Sequence, residues 1–255
     1  MNAKISNKAM NILSRFPKTR PPLPPGYTDV WEKLMKTNRE GRGPASKASQ
    51  LLETWLHSQV AKDTAQNLTT LELGAGTLNQ LDYEKAETYD VIEPFKALYE
   101  NSEHLSRIRK VYDLIEEVPL ENRYSRIISS AVLEHVDNLP FVVAKSALLL
   151  NENGCFRASV PNEGGLLWGA AWRFTTGLEY RVKFKIDYSK FAKHEHINSV
   201  DEIQTILKVF FRKVSIKRLG LGRHFSFYTF FCAKEPIIER CKEMGDYFSW
   251  NYETV

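Results

Sequence analysis

Residues 68–81, LTTLELGAGTLNQL, decide how the rest of the chain is read. The apolar run holding Leu68, Leu71 and Leu73 is bounded by polar residues, the pattern of a buried parallel strand. It carries the acid Glu72 and ends in Gly74, Ala75 and Gly76, where the two glycines let the backbone turn and approach a ligand with no Cβ in the way. The position three past Gly76 is Asn79, so the third glycine of the dinucleotide fingerprint is missing, and with it the tight pyrophosphate cradle. A single Gly-x-Gly is equally an ordinary tight turn, and other segments must decide between the two.

Residues 89–94, YDVIEP, read as the next strand and carry Glu93 to its end, 17 residues after Gly76. At that spacing a carboxylate accepts both hydroxyls of a ribose, which implies an adenosine-bearing ligand. These segments resemble the class I S-adenosylmethionine-dependent methyltransferases, whose first motif is similar to LELGAGT and whose second strand ends in an acid like that of VIEP. Residues 111–119, VYDLIEEVP, look like the family's third-strand motif, and residues 127–136, IISSAVLEHV, like its fourth strand and substrate-facing loop. The resemblance spans about residues 66–235 and implies an α/β, Rossmann-like sheet of seven strands, mostly parallel, with a terminal antiparallel hairpin. It implies S-adenosylmethionine as cofactor and S-adenosylhomocysteine as product, bound by Glu72, Gly74, Ala75, Gly76, Glu93, Asp113, Leu114 and Ser130, with Asp113 near the adenine. The hairpin is also legible by itself, as strands over 213–219 and 225–233 joined by GLGRH. It follows five strand and helix units, an order that fits a methyltransferase sheet and not a dinucleotide-binding dehydrogenase sheet.

The chain of 255 residues is long enough for one decorated domain, and 43% hydrophobic with 26% charged residues marks it as globular. Residues 1–65 read as an N-terminal arm and helices, 66–235 as the catalytic domain with an insertion at 162–198, and 236–255 as a tail. Cys155, Cys232 and Cys241 have neither paired nor metal-ligand spacing, so they are expected as reduced thiols. No apolar run reaches the ~18 residues a membrane span needs, and the expected location is the cytoplasm. The net charge of +4 conceals a segregation: residues 67–156 hold 15 acids against 8 Lys and Arg, whereas residues 157–234 hold 14 Lys and Arg against 6 acids. Such a basic excess is either a solvated surface or an attractor for an acidic acceptor.

The first 28 residues lack acids, and Lys4, Lys8, Arg15 and Lys18 alternate with Ile5, Met10, Ile12, Leu13 and Phe16. This is either a solvated arm or a basic amphipathic helix in peripheral contact with a membrane. RPPLPPGY, residues 20–27, must run extended. Helical patterns return around Trp31, Leu34 and Met35 and over residues 51–60. The combination of RPPLPPGY, KTNREGRG and LLETWLH resembles a bacterial subgroup found with genes for cell-surface polysaccharide and lipopolysaccharide assembly, which implies a sugar or glycan acceptor. Arg39 is then a candidate for binding an anionic group, or a solvated loop arginine.

In the insertion, Trp168, Trp172, Arg173, Arg181 and His194 are candidate acceptor contacts, because rings cover a sugar face while cations meet its acid groups. Trp168 and Trp172, four apart, are also a helical face packing on the core. For an acceptor hydroxyl, His135 is the first candidate base, expected to titrate near the ordinary imidazole pKa, and His196 the second; a structural histidine is the alternative for each. No metal set is expected, since His194, Glu195 and His196 would point apart on a regular strand. Three functions remain open: O-methylation of an acidic sugar or glycan, methylation of RNA or a small metabolite, and a non-catalytic partner subunit. The chain lacks an Asn-Pro-Pro-Tyr-like motif, so nucleic acid is not the expected partner.

Overall fold

The computed structural model describes residues 5–27, 47–162, 165–167, 169 and 187–244. Its frame is a seven-stranded sheet: β1 (Thr69–Leu73), β2 (Thr88–Ile92), β3 (Lys110–Tyr112), β4 (Tyr124–Ser130), β5 (Leu150–Pro161), β6 (Phe211–Leu221) and β7 (Phe225–Pro236). The spatial order is β3-β2-β1-β4-β5-β7-β6, parallel from β3 to β5, with β7 antiparallel to both β5 and β6. The order reverses between β1 and β4, and a crevice opens beyond the carboxyl ends of strands at such a reversal. The expected seven-stranded, mostly parallel sheet with its terminal hairpin is the one observed.

Buried strands explain why β1 reads as an apolar run: Leu71 and Leu73 are buried on one face of the pleat, and Thr70 and Glu72 are buried on the other. One face is covered by α3 (Leu139–Leu149), α5 (Val200–Phe210) and α1 (Asn7–Leu13). In α5, Ile203, Ile206, Leu207 and Phe210 are buried at helical spacing, and Ser199 and Glu202 close a capping box at its start. The other face carries α2 (Lys47–Ala61), with Val60 in a cluster with Leu78, Leu81, Tyr89 and Ile128.

A buried cation network holds α2 against the sheet. Arg126 on β4 donates to both oxygens of Glu84 at 2.7 and 3.1 Å and to the Val60 carbonyl at 2.9 Å. Arg157 on β5 donates to the carbonyls of Val60 and Gln59 at 2.8 and 2.6 Å. Two guanidinium groups thus satisfy carbonyls at the carboxyl end of α2, where orphan acceptors and the helix dipole favour a cation.

Several sequence expectations change. The described part of the N-terminal arm packs its apolar face inward: Ile12 and Phe16 belong to the main core, with Ile5 and Leu13 packed against it. That removes most of the apolar face a membrane contact would need, although Met10 stays exposed. Residues 236–244 of the presumed tail also join the fold, because β7 runs to Pro236 and both Ile237 and Cys241 are buried. β5 starts at Leu150, which pairs with Tyr124 ahead of a register shift. No described helix is long and apolar enough to cross a membrane.

Candidate active site

The crevice at the strand reversal is a cleft of about 410 Å³, within the size range of small-molecule sites. Glu72, Gly74, Ala75 and Gly76 line it from β1 and its loop, and Ser130, Ala131 and Val132 from the end of β4. Helix α2 contributes Glu53, Leu56 and His57, and β7 contributes Tyr228.

The glycines are required by two different features. Gly74 has φ of +64° and a Cβ there would lie 2.6 Å from a Val132 methyl, so the β1 loop and the β4 loop approach each other only without a side chain. Gly76 has φ of +52° and open space where a Cβ would be, which leaves its backbone accessible from the cleft. Leu78 and Ala131 also have positive φ, at 68° and 55°, a costly conformation for residues with a Cβ and one concentrated at ligand sites.

Glu93, nearly fully buried, closes the glycine loop. Its Oε2 accepts the Gly76 N–H at 2.8 Å and its Oε1 accepts the Phe95 N–H at 3.0 Å. A carboxylate has about four acceptor positions, so each oxygen keeps capacity for a ligand hydroxyl. Glu72 is buried and accepts the Tyr89 hydroxyl at 2.9 Å; burial, opposed by that hydrogen bond, pushes its carboxyl up to about 8. Asp113 and Leu114 are exposed at the end of β3, outside the residues that line the cleft. The Asp113 N–H is donated to Glu117 Oε2 at 3.0 Å.

The cleft wall contains a chain of hydrogen bonds not foreseen from sequence. Ser130 Oγ donates to Gln80 Oε1 at 2.9 Å, and His57 Nδ1–H donates to the same oxygen at 2.7 Å. Gln80 Nε2 in turn donates to the His57 carbonyl and to Glu84, which links the wall to Arg126. Burial pushes the His57 imidazole down, so it stays neutral and serves as a fixed donor. The available signal was an unremarkable glutamine four residues past Gly76.

Beyond Val132 the chain turns through Leu133–His135 toward α4 (Tyr188–Glu195). His135 Nδ1–H donates to the Glu195 carbonyl at 2.8 Å, so Nε2 holds the lone pair, and the His135 and His196 ring centroids are 4.8 Å apart. The expectation of an ordinary imidazole pKa fails: burial, with the His196 charge second, pushes His135 down to about 4. That makes it a weak base at neutral pH. The expectation of a strand over residues 194–196 also fails, since α4 ends at Glu195 and His196 caps it, facing His135. His194, a candidate acceptor contact, instead donates Nδ1–H to the Pro21 carbonyl at 2.7 Å.

The extended proline-rich segment forms a strap across this side. Arg20 donates to the His135 carbonyl at 2.7 Å and forms ion pairs with Asp137 and Glu195, both at 3.5 Å. Lys18 donates to the Ile197 carbonyl at 2.7 Å and to Glu202 at 2.9 Å. Tyr27 stacks on Phe191. Arg39, Trp168, Trp172, Arg173 and Arg181 lie outside the described residues.

The fold is that of the class I S-adenosylmethionine-dependent methyltransferases. No protein-family model matches the chain, and no curated protein matches it in sequence. Among solved structures it is similar to a plantazolicin methyltransferase in complex with S-adenosylhomocysteine: identity is 11%, coverage 91% of this chain and 99% of that one, and TM-score 0.55. A 1,6-didemethyltoxoflavin-N1-methyltransferase of Burkholderia thailandensis, with 1,6-didemethyltoxoflavin and S-adenosylhomocysteine bound, is 15% identical over 86% of this chain and 92% of that one, with a TM-score of 0.52. A SAM-dependent methyltransferase of Thermotoga maritima is 15% identical over 81% and 95%, with a TM-score of 0.51. At these identities the likeness establishes the fold.

Proposed function

We propose that the chain is an S-adenosylmethionine-dependent methyltransferase. The observation that carries this reading is the buried Glu93 carboxylate holding the Gly76 N–H at the strand reversal, with capacity left on both oxygens. The residues fit the cofactor: the open space at Gly76 leaves room for it, Glu93 offers acceptors for two ribose hydroxyls, and Glu72 offers a carboxyl to the amino-acid end. Asp113, just past the end of β3 as Glu93 is just past the paired end of β2, is assigned to the adenine, with Leu114 beside it as a further cofactor contact. Bound there, the cofactor supplies a methyl group on a sulfonium, already activated toward a nucleophile.

What remains for the protein is to hold the acceptor in line and keep water out, an orientation effect worth several kcal/mol. The acceptor we infer is a hydroxyl of an acidic sugar or glycan of the bacterial envelope. The support is the excess of 14 Lys and Arg over 6 acids in residues 157–234, together with the N-terminal sequence resemblance. Arg39, Trp168, Trp172, Arg173 and Arg181 are its proposed contacts. Native mass spectrometry of the purified protein should show a copurifying adenosyl ligand, and methyl transfer should be faster to acidic than to neutral saccharides. Transfer to RNA or to a small heterocycle, with none to saccharides, would overturn the acceptor and leave the enzyme class intact.

A further inference from the structure

Beside the cofactor cleft, Glu134, His135 and His196 bring their ligand atoms within 4.8 Å of one another. We propose that this cluster binds a divalent transition-metal ion through two imidazole nitrogens and one carboxylate oxygen, leaving open coordination positions for oxygen donors of the acceptor. The second half of that statement rests on the methyltransferase reading; the metal site itself does not.

The orientation of the donors favours it. His135 gives its Nδ1–H to the Glu195 carbonyl and turns Nε2 to within 3.8 Å of Glu134 Oε1. An imidazole fixed by its other N–H to a carbonyl is the usual setting of a metal-bound histidine. Metal bonds of about 2.0–2.2 Å place neighbouring donors roughly 3 Å apart, so side-chain rotation closes the observed spacing while the backbone stays in place.

That backbone is locked. The Glu134 carbonyl accepts the N–H groups of Ile197 and Asn198 at 2.9 and 3.1 Å, and Asn198 Nδ2 donates to the carbonyls of Leu133 and Val136 at 2.9 and 2.7 Å. The turn holding Glu134 and His135 is therefore tied to the segment holding His196 before any ion arrives. Electrostatics point the same way. Glu134 is 1% exposed, while the nearby Arg20 charge is met by Asp137 and Glu195. Two imidazoles with one carboxylate suit zinc, iron, cobalt or manganese and disfavour magnesium and calcium, which prefer all-oxygen sets. Ala131 and Val132, immediately before this turn, line the cofactor cleft, so an oxygen held on the ion lies on the acceptor side of it.

The test uses the full chain stripped with a chelator and dialysed free of it. Titration with Co²⁺, followed by visible absorption, should show one equivalent bound per chain. Glu134→Gln and His196→Ala should each weaken it by at least ~100-fold, more than the 10–100-fold typical of outer partners. As a check that does not rely on the harsher variant, Zn²⁺ should raise the melting temperature of the wild type and not of His196→Gln. No stoichiometric uptake, uptake unchanged in the variants, or a preference for Mg²⁺ would overturn the site. S-adenosylhomocysteine is titrated into the same stripped protein in parallel. Its failure to bind would count against the cofactor reading, while the cobalt stoichiometry decides the metal site by itself.

Discussion

The two sides of the cleft are built in opposite ways. On the cofactor side the parts are close in sequence: Gly76 and Glu93 are 17 residues apart and meet because β1 and β2 are neighbouring parallel strands. Beyond Val132, where we propose the acceptor to lie, the parts come from far apart: His135 meets Glu195 across 60 residues, Arg20 meets His135 across 115, and Lys18 meets Ile197 across 179. A local device is held by strand register, while an assembled one depends on each long-range tie. The first should fail all at once and the second piece by piece.

The largest expected effect lies in the scaffold both sides share. Arg126 is 1% exposed, and its removal strands the buried Glu84 carboxylate. Arg126→Ala should cost about 3–5 kcal/mol of stability, seen as a lower midpoint in urea unfolding. A cost below ~1 kcal/mol would mean that the pair does not hold α2 in place.

Next comes the glycine loop. Gly74→Val places a β-branched residue at φ of +64° and against Val132, which should cost about 1–3 kcal/mol from the backbone alone. Circular dichroism melting should show it, and an unchanged melting temperature would break the claim that the two loops meet too closely for a side chain.

A smaller loss is expected from the strap. Arg20→Ala removes two carbonyl contacts, to His135 and His194, and two partly exposed ion pairs, so about 1 kcal/mol is expected. S-adenosylhomocysteine affinity should stay within twofold. If affinity fell together with stability, the two sides would not be separable as argued.

A further effect depends on pH, and its size grows along the pH axis instead of being fixed. Glu72 has its carboxyl raised to about 8 by burial, so the folded state binds a proton that the unfolded state releases above its ordinary pKa. Its contribution is present below pH ~4.5 and is lost as pH rises toward 8. Glu72→Gln cannot ionise, so it should gain melting temperature relative to wild type between pH 5 and 8. An offset constant with pH would contradict the raised pKa.

The same contrast explains what could be read in the sequence. The sheet was legible because its signals are local: apolar runs, the Glu-x-Gly-x-Gly turn, Glu93 at a strand end and the GLGRH turn. The ends were misjudged because Ile12, Phe16, Ile237 and Cys241 gain burial only when distant helices cover them. Helix α2 was visible as a pattern, but its seat depends on Arg126 and Arg157, whose charges read as surface positions until burial shows otherwise. The histidines were read within one segment, HEH, while the cluster joins LEHV to that segment; two short runs rich in ligating side chains were the signal available.

The central claim is that the cleft at the strand reversal holds the adenosyl cofactor through Glu93. Isothermal titration of S-adenosylhomocysteine into wild type and Glu93→Ala tests it directly. Saturable one-to-one binding that weakens by about 1.5–3 kcal/mol in the variant, the cost of losing hydrogen bonds to a charged acceptor, is the predicted result. No binding to the wild type, or equal affinity in a folded Glu93→Ala protein, would contradict it.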